Sequence, residues 1–397
     1  MKGYLSGNRI TLLKNGAEFF PALEAAFDQA RERIHLETYI YREDAAGRRI
    51  AEALIRAARR GVDTHLLIDG FGSQPMPQGL LQSMREAGVR VLVYRPEVSR
   101  WRLRRYRLRR LHRKLALVDA TVGFVGGINI VDDAESPDQP PQYDYAVAVE
   151  GPLVAAIHAT MRRLWNLVSW SQLRTARSRD HRRRIVVAPV GRVRARFLLR
   201  DNLGHRRDIE HAYLRAIGKA RREIVIANAY FLPGTRLRHA LIAAAERGVR
   251  VVVLVQGRTD HPLANYAKQA FYGRLLRAGV EIHEYHTSVL HAKTAVVDGI
   301  WATVGSSNLD PFSLVLSREA NVVVYDRAFA AGLCAGMQQE IDRGAVRVLP
   351  ESLKKMPLYR RFLIWLSYGV VRVMMGMVNY ASDDPESGVR PRRLWPR

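Results

Sequence analysis

A single cysteine, Cys334, stands in the whole chain, which excludes an internal disulfide and any thiolate cluster for a metal. It reads as a small buried residue and fits a reducing compartment. The opening Met1 to Ile10 lacks an apolar stretch, so neither a signal peptide nor an N-terminal membrane anchor is expected, and the catalytic part should stay in the cytoplasm. Acidic residues are scarce. Against 63 Lys and Arg there are 38 Asp and Glu, a net charge of +25. Such a surface suits a polyanion, either nucleic acid or an anionic lipid surface, and charge alone does not choose between them. No carboxylate cluster of the kind that holds a metal stands out, and no cofactor is implied. What remains is ample for folding: 397 residues, 48% of them hydrophobic, support two or three domains with real cores.

The chain writes one phrase twice. His112-Arg113-Lys114 leads to Asp119 and then to Gly126, Gly127 and Asn129; His291-Ala292-Lys293 leads at identical spacing to Asp298 and then to Gly305, Ser306, Ser307 and Asn308. Flanking segments match in the same order. Ala53 to Val62 resembles Ala240 to Val249, each an apolar-faced helix closed by glycine and followed by a strand (64–68 and 251–255). Gly88-Val89 pairs with Gly279-Val280, and the β-rich runs Ile34 to Tyr41 and Ile224 to Phe231 precede both helices. Strands alternating with helices predict an α/β sandwich in each half. The period is too long for a solenoid, so the expectation is two fused domains, 1–173 and 191–350. An Arg-rich linker, 174–190, joins them, and a basic and apolar tail, 351–397, follows.

Residues two apart on a strand project to the same side, so His112 and Lys114 face one cleft, as do His291 and Lys293. Leu115 to Val118, Asp119-Ala120 and Thr121 to Val125 read as strand, turn and strand; Val296 to Ile300 repeats the hairpin signal more strongly. This returns Asn129 and Asn308 beside their own His-Lys pairs. If the halves face each other, two imidazoles, two ammoniums and two carboxamides gather in one site. Two histidines suit a double displacement at phosphorus, one attacking and one protonating the leaving oxygen. The lysines and asparagines would bind the nonbridging oxygens of a phosphodiester. A carboxylate usually fixes the tautomer of such a histidine, and Asp144 and Glu319 are the candidates, one downstream in each half. Asp119 and Asp298 complete the catalytic set, although a turn aspartate needs no catalytic role. Gly126, Gly127 and Gly305 read as bends that permit close backbone approach. The remaining histidines, including His283 and His286, show no partner pattern.

Two further segments bear on partners. About a dozen extra residues precede His112, and within Ser99 to Arg110 the rings of Trp101 and Tyr106 interleave with arginines at the expected rim of the site. Phe362 to Tyr380 is apolar but holds Arg372 and follows Arg360-Arg361. It reads as an amphipathic helix, 360–380, lying at a membrane interface, with a core-packing helix and a true span as alternatives.

The paired signatures resemble the phospholipase D superfamily. The opening, Ile34 to Tyr41, Asn228 to Phe231 and Gly305 to Pro311 further resemble the bacterial cardiolipin synthases of the shorter B type, over roughly residues 5 to 350. The resemblance implies two tandem α/β/α sandwich repeats sharing one active site. It also implies a phosphohistidine on His112, acid/base work by His291, and phosphatidylglycerol as substrate. Attachment would be peripheral, at the cytoplasmic face of the inner membrane. Many members carry an arginine where Phe312 stands, which bears on acceptor recognition. The expected activity is cardiolipin synthesis; the alternatives are a phosphodiesterase or nuclease with the same centre, and a catalytically dead binding protein.

Overall fold

A computed structural model describes residues 3–96, 110–132, 140–172, 185–201, 204–257, 262–310, 317–354, 357, 359, 362–367 and 369–370. The basic insertion apart from Arg110, residues 174–184 of the linker, Phe312, and Arg372 with the rest of the tail beyond 370 lie outside the described residues.

The first half runs β1 (Leu5–Lys14), α1 (Asn15–Gln29), β2 (Arg33–Thr38), α2 (Ala45–Arg59), β3 (Asp63–Asp69), α3 (Gln78–Glu86) and β4 (Arg90–Tyr94). Short β5 (Arg110–Leu111) precedes the hairpin of β6 (Lys114–Val118) and β7 (Val122–Gly126), and β8 (Tyr145–Glu150) and α4 (Val154–Ser171) close it. The second half repeats the order with β9 (Val193–Arg200), α5 (Asp208–Lys219), β10 (Glu223–Asn228), α6 (Thr235–Glu246), β11 (Arg250–Gln256), α7 (Pro262–Arg277) and β12 (Glu281–Tyr285). The hairpin of β13 (Lys293–Val297) and β14 (Trp301–Gly305), then β15 (Ser317–Tyr325) and α8 (Arg327–Gly344), complete it before β16 (Ala345–Arg347) and α9 (Pro350–Lys354).

Local chemistry explains the elements. In α2, the Asp44 side chain caps the helix by accepting from the Gly47 N–H, Ile50, Leu54 and Ala57 form the buried face, and Gly61 leaves the helix at φ +88°. The hairpins of both duplicated motifs turn through left-handed residues, Asp119-Ala120 and Asp298-Gly299, the geometry that matches strand twist in a two-residue turn.

The strands form one sheet, β4-β3-β2-β6-β7-β8-β1 continuing through β9-β15-β14-β13-β10-β11-β12-β16. β2, β3 and β4 are parallel, as are β10, β11 and β12, and the halves meet where β1 pairs antiparallel with β9. One face of the first half packs on α1, α2 and α3 and one face of the second on α5, α6 and α7. Across the opposite face, Ile157 and Met161 of α4 and Leu333 and Met337 of α8 share a single core with strand residues from both halves. That shared layer fixes the two repeats against each other. The described part of the tail is helical at 362–367, with Phe362 and Trp365 exposed and their rings 6.0 Å apart. Among the described residues, no helix is long and apolar enough to cross a membrane.

Candidate active site

Each histidine lies two residues ahead of the lysine that opens a central hairpin strand, and each is held by the opposite repeat. β5 pairs in parallel with the start of β15, and the His112 N–H donates to the Arg318 carbonyl at 3.0 Å. Glu319, the next residue of β15, is thereby set beside the ring. Its two carboxylate oxygens lie 3.0 and 3.1 Å from His112 Nδ1. The mirror arrangement holds His291. Tyr143 bridges to Leu290, the His291 N–H donates to the Tyr143 carbonyl at 2.9 Å, and Asp144 accepts from His291 Nδ1 at 2.6 Å. Both rings therefore present Nε2 as the nitrogen left for chemistry.

The lysines lie within this frame. Lys114 Nζ donates to the His112 carbonyl at 2.7 Å and sits 5.3 Å over the Tyr39 ring, which makes an edge contact with His112 at 4.8 Å between centroids. Lys293 Nζ donates to the His291 carbonyl and lies 3.8 Å from Asp144. Burial and the neighbouring Lys293 lower Lys114 to about 7, and burial lowers Lys293 as well. Burial also lowers both histidines: His112 falls despite Glu319, and His291 falls to about 4, with the Lys293 charge adding to burial. Lys293 acts on His112 and Lys114 acts on His291, so the four groups share one electrostatic field. A bound anion beside these groups would raise all four.

The other motif residues fall into place on physical grounds. Asn129 and Asn308 are buried just past β7 and β14, and the Asn129 side-chain oxygen accepts from the Ile40 N–H at 3.2 Å. A Cβ at Gly127 would overlap the Asp144 carboxylate, and one at Gly126 or Gly305 would overlap the neighbouring strand, Ala146 or Asn321. Ser306, the counterpart of Gly127, donates to Glu319 at 2.5 Å, and the Ser307 hydroxyl donates to the Asn308 carbonyl at 3.3 Å.

Asp119 and Asp298 correct an expectation, because neither reaches the site. Asp119 accepts three backbone N–H groups, from Arg31, Glu32 and Arg33, each at 2.8 Å, and Asp298 accepts from Arg221, Arg222 and Glu223. They lie at the far ends of β6 and β13, about 15 Å of strand from the lysines. Their invariant spacing reflects a strand-to-turn length, and their role is structural. Reading along the chain missed Tyr39, which has no matching partner in the second repeat at the level of residue type, and it missed the crossed pairing of carboxylates.

The family model described as "Cardiolipin synthase, PLD-like domain" matches residues 23–165 and 213–341. The chain belongs to this phospholipase D-like family. Cardiolipin synthase B of Salmonella typhi is 42% identical over 355 residues, 89% of this chain and 85% of that protein. Cardiolipin synthase B of Escherichia coli K12 is 43% identical over 344 residues, 85% of this chain and 83% of that protein. Among solved structures, the phosphatidylserine synthase of Haemophilus influenzae superposes with a TM-score of 0.68 at 15% identity, covering 95% of this chain and 96% of that one, which shows that the two share a fold.

Proposed function

We propose that the chain is a cardiolipin synthase, transferring the phosphatidyl group of phosphatidylglycerol, or a similar donor, to a hydroxyl of a second phosphatidylglycerol. The observation that carries this reading is the crossed pair His112–Glu319 and His291–Asp144, which leaves two Nε2 atoms and two ammoniums in one field. Nε2 of His112 attacks phosphorus while the bond to the donor's glycerol oxygen breaks, and protonated His291 gives that oxygen its proton. Free glycerol leaves, and the phosphatidyl group stays on His112. Neutral His291 then takes the proton of the acceptor hydroxyl as its oxygen attacks phosphorus and the P–N bond breaks. The phosphodiester's charge keeps Lys114 and Lys293 cationic, and they stabilise the charge on the nonbridging oxygens.

The roles of the two rings are assigned on the resemblance of the two motifs to those of the family. One consideration favours the reverse: burial and the Lys293 charge lower His291 to about 4, which keeps its ring neutral at neutral pH, the form that can attack. Incubation with phosphatidylglycerol in mixed micelles, followed by mapping of the phosphorylated histidine, tests both. The expected adduct is on His112; an adduct on His291 reverses the roles, and no cardiolipin with no adduct ends the proposal. The net charge of +25 and the exposed Phe362 and Trp365 support peripheral attachment to anionic lipid at the cytoplasmic face of the inner membrane. A phosphodiesterase acting on nucleic acid is the competing reading, and metal-independent DNA cleavage in EDTA would favour it.

A further inference from the structure

The backbone just before each histidine is gripped by a side chain from the end of a strand that the duplicated phrase does not include. Asp69 is the last residue of β3, where it pairs with Tyr94 of β4; Gln256 is the last residue of β11, where it pairs with Tyr285 of β12. These are equivalent positions in the two repeats. Asp69 Oδ2 accepts from the N–H of Leu111 at 2.7 Å, and Gln256 Oε1 accepts from the N–H of Leu290 at 2.9 Å. Leu111 precedes His112 and Leu290 precedes His291, so the same peptide unit is held in both. Each grip is itself supported. The second oxygen of Asp69 accepts from the N–H groups of Phe71 and Gly72, and the main-chain carbonyl of Gln256 accepts from buried Lys268, which also pairs with Glu284.

The following N–H, that of the histidine itself, goes to the opposite repeat, at Arg318 or Tyr143. Two successive amides are thus fixed from two sides, one by the histidine's own repeat and one by the other. A short buried oxygen-to-amide bond removes most of the freedom to rotate or slide the peptide that carries the imidazole. An error of about 1 Å in the attacking atom is enough to cost on the order of 100-fold in rate.

We propose that Asp69 and Gln256 are matched positioning residues, each setting the reach of the histidine in its own repeat by holding the preceding peptide. The inference rests on the proposed phosphatidyl transfer at this site. Neither side chain touches the reacting atoms in this scheme. The charge difference between them implies that the acceptor oxygen, common to both, is the working part.

Steady-state rates with phosphatidylglycerol in mixed micelles test this in full-length protein. Gln256→Ala is the primary variant, because it removes one acceptor without stranding a charge. It is expected to lower kcat about 10- to 100-fold with KM within threefold, while circular dichroism and melting stay near the parent. Asp69→Asn keeps an acceptor oxygen and should stay within about tenfold of the parent, whereas Asp69→Ala should fall well below Asp69→Asn. Gln256→Glu also keeps the oxygen and should recover most of the loss. Parental kcat in a folded Gln256→Ala, or no recovery in both conservative variants, overturns the inference while leaving cardiolipin synthesis standing. A parent that makes no cardiolipin overturns the functional reading and takes the inference with it.

Discussion

The two repeats hold their histidines with one geometry and different materials. Ahead of the motif stands a charged Asp69 in the first repeat and a neutral Gln256 in the second. Past the hairpin, Gly127 makes room for Asp144, whereas Ser306 donates a hydrogen bond to Glu319. The largest contrast lies on the other side of the motif strand. Arg113, between His112 and Lys114, forms a buried two-point ion pair with Glu37 of β2, at 2.6 and 3.0 Å. The matching positions in the second repeat are Ala292 and, by strand register, Ala227, both fully buried. Duplication therefore preserved the paired histidines and lysines and left the supporting layer free to diverge. The backbone path, set by strand pairing, tolerates either an ion pair or two methyl groups behind it.

The comparison can be broken at its strongest point first. His112→Ala and His291→Ala are each expected to lower cardiolipin formation by at least about 1,000-fold, with only the acid/base variant able to accumulate a phosphorylated histidine from an activated donor. Equal adducts in both variants would contradict the division of labour. Next come the crossed carboxylates. Asp144→Asn should impair His291, and Glu319→Gln should impair His112, each by about 100- to 10,000-fold in kcat, since the tautomer and ring orientation are lost. Histidine NMR of each variant reads which ring moves, and a change in the ring of the same repeat alone would refute the crossing.

Smaller effects sharpen the contrast between supporting layers. Glu37→Gln leaves Arg113 buried without its carboxylate and should cost about 3–5 kcal/mol by chemical unfolding, and removing both partners together should cost less. Stability against pH probes His291. Its proton affinity is lower folded than unfolded, so the unfolded chain binds more protons between about pH 6.5 and 4. Stability from this ring is intact above pH 6.5 and declines by about 3 kcal/mol as pH falls towards 4. A His291→Asn variant should show a shallower decline; parallel curves would rule out the buried neutral ring. Least of all, Ser306→Ala should cost about 1–3 kcal/mol, for the lost hydrogen bond to buried Glu319.

Much of this was legible in the chain. The hairpins announced themselves through apolar runs broken by Asp119-Ala120 and Asp298-Gly299, and the glycines after α2 and α6 marked helix ends. The pairing of each histidine with its lysine followed from spacing. The crossing of Asp144 and Glu319 did not, because it depends on β5 pairing with β15 across 207 residues of chain from His112 to Glu319. Local periodicity carries no information about such contacts. Asp119 and Asp298 misled for the opposite reason: their regular spacing records the length of a strand and the needs of three amide donors. Asp69 and Gln256 had a faint signal, since each ends a matched strand just before a glycine, Gly70 or Gly257, but differing residue types hid the equivalence.

The exchange of carboxylates has a consequence during synthesis. When the ribosome has delivered only the N-terminal lobe, His112 already exists, yet its companion Glu319 has not been translated. The half-made chain lacks both the second histidine and the carboxylate that holds the first, and β15, which carries Glu319, emerges after every other residue of the site.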